Sequence, residues 1–131
     1  MSQENVEIVK RAFEAYVRGD AEQALGHLHP EVVIDFSARG DTTAQRGRDQ
    51  VMPLVTEWTS TWDDYREELD EIRDLGDQVL VVTTQTGRGK GSGVEIANQW
   101  AFLVVVEDGL ITRFTGYANP SAAIEAAGLS E

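Results

Sequence analysis

Asp35 is the first residue to question, because it closes an apolar run of Val32, Val33 and Ile34. Burying its charge is costly unless the group is hydrogen-bonded, paired or functional. Inside a pocket, such a carboxylate can remove a proton α to a carbonyl and return it elsewhere. Facing solvent, it is an ordinary strand-end Asp that caps the following loop. Proton abstraction also needs donors for the developing enolate oxygen, and these usually supply the larger share of the rate. Asn98 falls on one face with Trp100 and Phe102 if their strand alternates regularly, and its amide can donate. Tyr16 lies on an apolar helical stripe, which suits a core aromatic with a satisfied hydroxyl and leaves open a contact with a ligand. Trp58, Trp62 and Trp100 read as core or pocket wall. Three tryptophans in a chain of 131 residues favour a flat, apolar ligand over a sugar phosphate.

Other constellations carry less chemistry. His27 and His29 are two apart, a spacing that shares no helix face and matches no common zinc motif, so no metal site is expected and helix-end histidines are preferred. The run Gly87-Arg88-Gly89-Lys90-Gly91-Ser92-Gly93 resembles a phosphate loop only in its glycines. Its Lys precedes Gly91 and the segment runs into a strand, so a flexible, basic hairpin connection is expected. The chain has no Cys and no Gly-x-Ser-x-Gly elbow, which gives covalent catalysis no support.

Composition sets the frame for these residues. The length suits one domain over 1–131 with a single core. Without Cys there is no disulfide and no thiolate metal site, which fits the cytoplasm. The start, Met1 to Asn5, is polar, unlike a signal peptide. The longest strong apolar run is Phe102 to Val106, far short of a membrane span. A net charge of −12 repels phosphate backbones and anionic lipid, so neither nucleic acid nor membrane is expected as a partner.

The elements that must position the candidates follow from periodicity and turn chemistry. Val6, Val9, Ala12, Phe13, Tyr16 and Val17 make one helical stripe, with Ser2 as its cap and Gly19 as its stop. Asp20 caps a second helix, with Gln23 placed to complete a capping box, and Pro30 forbids its continuation. Glu31 to Phe36 reads as a strand, then Ser37 to Arg46 as a loop over a pocket mouth. Val51, Leu54, Val55, Trp58 and Trp62 form a third helical stripe, starting late or distorted at Pro53. Tyr65–Asp74, Gln78–Gly87, Val94–Val106 and Leu110–Tyr117 then read as an antiparallel meander. A last helix is capped by Asn119, carries Pro120 at its first position and ends at Gly128. The order predicts an α+β domain whose long bent sheet needs something to fill its concave side.

Four separated segments carry a family resemblance: Ala12 to Asp20, His29 to Val33, Arg46 to Asp49 and Glu107 to Ile111. In order and spacing they resemble the SnoaL-like, polyketide cyclase-like branch of the nuclear transport factor 2-like superfamily over essentially the whole chain. The resemblance implies a cone-shaped, curved, mainly antiparallel sheet against three to four helices, enclosing a pocket for a small, largely apolar molecule. It implies a homodimer through the outer sheet face, and no cofactor is expected. Its ketosteroid isomerase relatives place a general-base Asp at what corresponds to Asp35. Their oxyanion-hole acid falls at Asn98 and their donor Tyr near Ala12. The expectation is therefore a pocket protein that catalyses isomerisation or cyclisation with Asp35 as base, Asn98 as polar partner and Tyr16, Trp58, Trp62 and Trp100 lining the site. A hydrolase or dehydratase in the same pocket, with Arg46 as cation, and a non-enzymatic binding or dimerisation domain are the alternatives.

Overall fold

A computed structural model describes residues 2–36 and 44–128, apart from the side chains of Ser2 and Trp58. Helix α1 spans Ser2–Arg18 and buries Val9, Ala12, Phe13 and Ala15. Val17, at the edge of that stripe, stays 41% exposed. Gly19 ends the helix with φ of 87°, a left-handed conformation that costs glycine little. The following Asp20 accepts from the Gln23 N–H at 3.2 Å and starts α2, Ala21–Gly26. Gln23 does not complete a capping box; its Oε1 accepts from Arg18 at 2.7 Å.

Strand β1 covers Leu28–Asp35, so Pro30 lies within the strand and the second helix has ended before it. Of the expected loop, residues 37–43 lie outside the described residues. Its end forms a two-residue strand, β2 (Gln45–Arg46), paired antiparallel to β1. A 3-10 turn, Arg48–Gln50, leads into α3, Val51–Thr59. Pro53 sits in the first turn of α3, where its missing N–H has no intrahelical partner to lose.

Helix α3 is shorter than its stripe suggests. The Ser60 and Thr61 hydroxyls donate back to the Glu57 carbonyl at 3.0 and 3.1 Å, taking up helix-end backbone. Trp62 therefore opens a strand and does not continue the helix. That strand, β3 (Trp62–Asp74), is followed by β4 (Val79–Gly89), β5 (Glu95–Glu107) and β6 (Leu110–Tyr117). Between the last two, Asp108 and Gly109 take φ of 51° and 81°, the signature of a two-residue hairpin whose twist matches its strands.

The six strands form one sheet in the order β2-β1-β6-β5-β4-β3, with β1 and β6 parallel and the other pairs antiparallel. Alternation gives the sheet two faces. On the inner face Val79 and Val81 of β4 and Phe102 and Val104 of β5 pack with α1. On the outer face Leu80, Val82, Ala101 and Leu103 pack under α4, Pro120–Ala126, through Ala123 and Ile124. Asn119 caps that helix by accepting from the Ala122 N–H at 2.8 Å. Helix α4 thus covers the part of the outer face formed by these residues of β4 and β5. No helix among the described residues is long and apolar enough to cross a membrane.

Candidate functional site

Between the inner sheet face and helices α1, α2 and α3 lies a cavity of about 610 Å³, within the size range of small-molecule sites. One wall is aromatic. Phe13 stacks on Phe114 at a centroid distance of 5.5 Å, Phe102 meets Phe114 at 4.8 Å, and Phe36 stands edge-on to Phe114 at 6.0 Å. The rest is largely aliphatic, from Val32 and Ile34 of β1 to Leu54 and Val55 of α3.

Polar groups gather at one end. Glu67 of β3 and Gln85 of β4 are direct cross-strand partners and are 8% and 3% exposed. The Tyr65 hydroxyl donates to Glu67 Oε1 at 3.0 Å. Thr83 Oγ1 and Gln85 Nε2 donate to Glu67 Oε2 at 2.8 and 3.1 Å. Tyr16 of α1 lies beside this network, close enough for Glu67 and Tyr65 to act on its hydroxyl. A carboxylate offers about four lone-pair sites, and three of them are taken by the Tyr65, Thr83 and Gln85 donors. This satisfies the condition for burying a charge.

Burial, then the charges of Glu67 and Tyr65, then hydrogen bonds to both, push the Tyr16 hydroxyl far above the ordinary tyrosine range. Tyr16 is thereby held as a neutral phenol. A second cavity, of about 380 Å³, adjoins on the far side of Tyr16 and Glu67, which wall both. The charged residues that line the larger cavity are Glu57 and Glu67, with no Lys or Arg among the described lining residues.

Of the residues singled out from the sequence, Tyr16 lines this cavity. Asp35 does not. Its neighbours Ile34 and Phe36 point in, and alternation turns Asp35 to the other face. There its carboxylate accepts from Arg113 at 3.2 Å, and it helps burial to push the Tyr117 hydroxyl up, against the opposing Arg113 charge. Asn98 is directly across from Gln85, as its expected face requires, but it is exposed and lies outside the lining. Trp100 packs against the inner core and Trp62 is half-buried at the start of β3, neither lining the cavity. The Trp58 side chain lies outside the described residues. Arg46 is exposed on β2 and away from the lining.

Elsewhere, His29 Nδ1 accepts from the Glu31 N–H at 3.0 Å, and His27 caps α2. The glycine-rich run is a hairpin connection, closed by the Gly89 N–H on the Val94 carbonyl at 2.8 Å. Sequence reasoning missed Glu67, Thr83 and Gln85. The available signal was parity: Glu67 shares a face with Tyr65 and Leu69, and Thr83 and Gln85 share one with Val79 and Val81.

The SnoaL-like domain profile matches residues 9–114. The chain belongs to the SnoaL-like domain family. No curated protein matches it in sequence. Among solved structures, this SnoaL-like chain is similar to TerC crystallised with polyporic acid, at a TM-score of 0.75 and 19% identity over 93% of this chain and 96% of that one. It is similar to a protein of ketosteroid isomerase-like fold from Catenulispora acidiphila DSM 44928 crystallised with trimethylamine. There the TM-score is 0.71, with 18% identity over 95% and 94% of the chains. A protein from Xanthomonas campestris pv. campestris, named as a candidate polyketide cyclase, is 26% identical over 95% of this chain and 96% of its own, at a TM-score of 0.70. The SnoaL-like chain therefore has the nuclear transport factor 2-like fold, a six-stranded, mostly antiparallel sheet with N-terminal helices.

Proposed function

We propose that this SnoaL-like protein binds a flat, largely apolar small molecule in the 610 Å³ cavity, rings against Phe102 and Phe114 and polar end toward Glu67 and Gln85. The observation that carries this reading is an aromatic wall and a buried polar cluster at Glu67 and Gln85 in one cavity, the pattern that gives a ligand both affinity and orientation. The small molecules crystallised with TerC and with the Catenulispora protein support it by analogy of fold. Asp35, the base expected from the sequence, lies outside this cavity and has no part in this reading.

A fluorescence titration with N-phenyl-1-naphthylamine, a neutral apolar dye, tests the proposal. One dye is expected to bind per chain with enhanced emission. Ala24→Trp, which fills the cavity from α2, is expected to abolish binding with the far-UV circular dichroism unchanged. Absence of enhancement in the wild type, or undiminished binding by the folded variant, would overturn the proposal.

A further inference from the structure

We infer that the molecule taken into the cavity carries no negative charge and presents a hydrogen-bond donor to Gln85 Oε1. This rests on the small-molecule reading above and narrows it to a chemical class: flat phenols and aryl amines that keep an O–H or N–H. The argument starts from the orientation of one amide. Gln85 faces Glu67 Oε2 at 3.1 Å. An ionised carboxylate only accepts, so the amide must turn its NH2 toward Glu67; the flipped form would set two acceptor oxygens against each other. Glu67 thus fixes Oε1 as the atom directed elsewhere.

That Oε1 is buried and has no hydrogen-bond partner among the described residues, in a residue 3% exposed that lines the cavity. Buried polar atoms without a partner are rare enough to require an explanation. The donors around Glu67 do not supply one: the Tyr65 and Thr83 hydroxyls and an N–H of Gln85 itself are committed to Glu67, and Asn98, directly across from Gln85, makes no hydrogen bond to it among the described residues. Gln85 Oε1 therefore lacks a donor, and the cavity that Gln85 lines is a side from which one can come.

Charge acts in the same direction. With Glu57 and Glu67 on the lining and no cation among the described lining residues, a carboxylate or phosphate would enter against like charge and find no counter-ion. A neutral phenol or aryl amine meets neither obstacle.

Isothermal titration at neutral pH with three probes of one ring system reads both parts of the inference. 2-Naphthol is expected to bind about tenfold more tightly than 2-methoxynaphthalene, which keeps the ring and the oxygen and lacks the donor. 2-Naphthoate is expected to bind more weakly than 2-naphthol. Equal affinity for naphthol and its ether would overturn the donor requirement, and naphthoate binding as tightly as naphthol would overturn the charge requirement. If neither neutral compound binds, the small-molecule reading itself fails, an outcome distinct from both. In Gln85→Met, which keeps the length and removes the carbonyl, the preference for naphthol should shrink to within about twofold. A folded variant that retains the full preference would show that another atom takes the donor. The wild-type series decides the inference even if the variant does not fold.

Discussion

Thr83 and Thr84 are adjacent on β4, point to opposite faces, and each donates its hydroxyl to a carboxylate on β3. Thr83 is fully buried and serves Glu67 at 2.8 Å, whereas Thr84 serves Asp70 on the exposed outer face. Replacing either by Val keeps the shape and deletes one donor. At Thr83 the loss falls on a buried anion, where a hydrogen bond contributes about 1.5–3 kcal/mol. At Thr84 water replaces the lost donor and the cost should stay under about 0.5 kcal/mol. Unfolding entropy is about 2.1 cal/mol/K per residue, or about 0.28 kcal/mol/K for this chain, so a loss of about 2 kcal/mol lowers Tm by about 7 °C. Calorimetry of the two variants should show a fall near that size for Thr83→Val and less than about 2 °C for Thr84→Val. Equal shifts, or a neutral Thr83→Val, would refute the view that Glu67 is a buried charge held by its donors.

Tyr16 gives a pH-dependent test. Its proton is held more tightly in the folded than in the unfolded chain, where tyrosine ionises near pH 10. Its contribution is therefore complete below about pH 10 and declines above it, by up to about 1.4 kcal/mol per pH unit. Urea unfolding from about pH 8 to about pH 11 should show a steeper decline in the wild type than in Tyr16→Phe, and parallel curves would contradict the burial of this hydroxyl. Asp35→Asn should leave dye affinity within about twofold and cost less than about 1 kcal/mol, because its partner Arg113 is half exposed; a large loss of binding would place Asp35 at the ligand.

The parts of the fold governed by local chemistry were legible. The α1 stripe, the Asp20 and Asn119 caps and the Asp108-Gly109 hairpin each depend on residues within a few positions of one another. Trp62 misled because it continued the helical spacing of Val51, Leu54, Val55 and Trp58, while the hydroxyls of Ser60 and Thr61 had already closed the helix. The site was harder to read. Glu67 sits among Arg66, Glu68, Asp70 and Glu71 on an edge strand, and that charge density looks like a solvated surface. Its burial comes from α1 packing across β3, a tertiary event that no neighbouring residue reports. Parity could have found it as far as Leu69, after which a register shift reverses the faces and brings Ile72 inward.

Asp35 shows the converse. Its cost inside an apolar strand was readable, but the face it occupies depends on pairing with β6, which lies some eighty residues away and brings Arg113 to it. Asn98 was placed on the correct face, opposite Gln85, yet it is exposed and the cavity lies elsewhere on that face.

A crystal structure of the protein grown with N-phenyl-1-naphthylamine tests the central claim most directly. The account predicts the dye inside the cavity, its rings against Phe102 and Phe114 and its N–H within hydrogen-bonding distance of Gln85 Oε1. A cavity closed by its own side chains, with the dye absent or bound on the outer face beside Asp35, would contradict it.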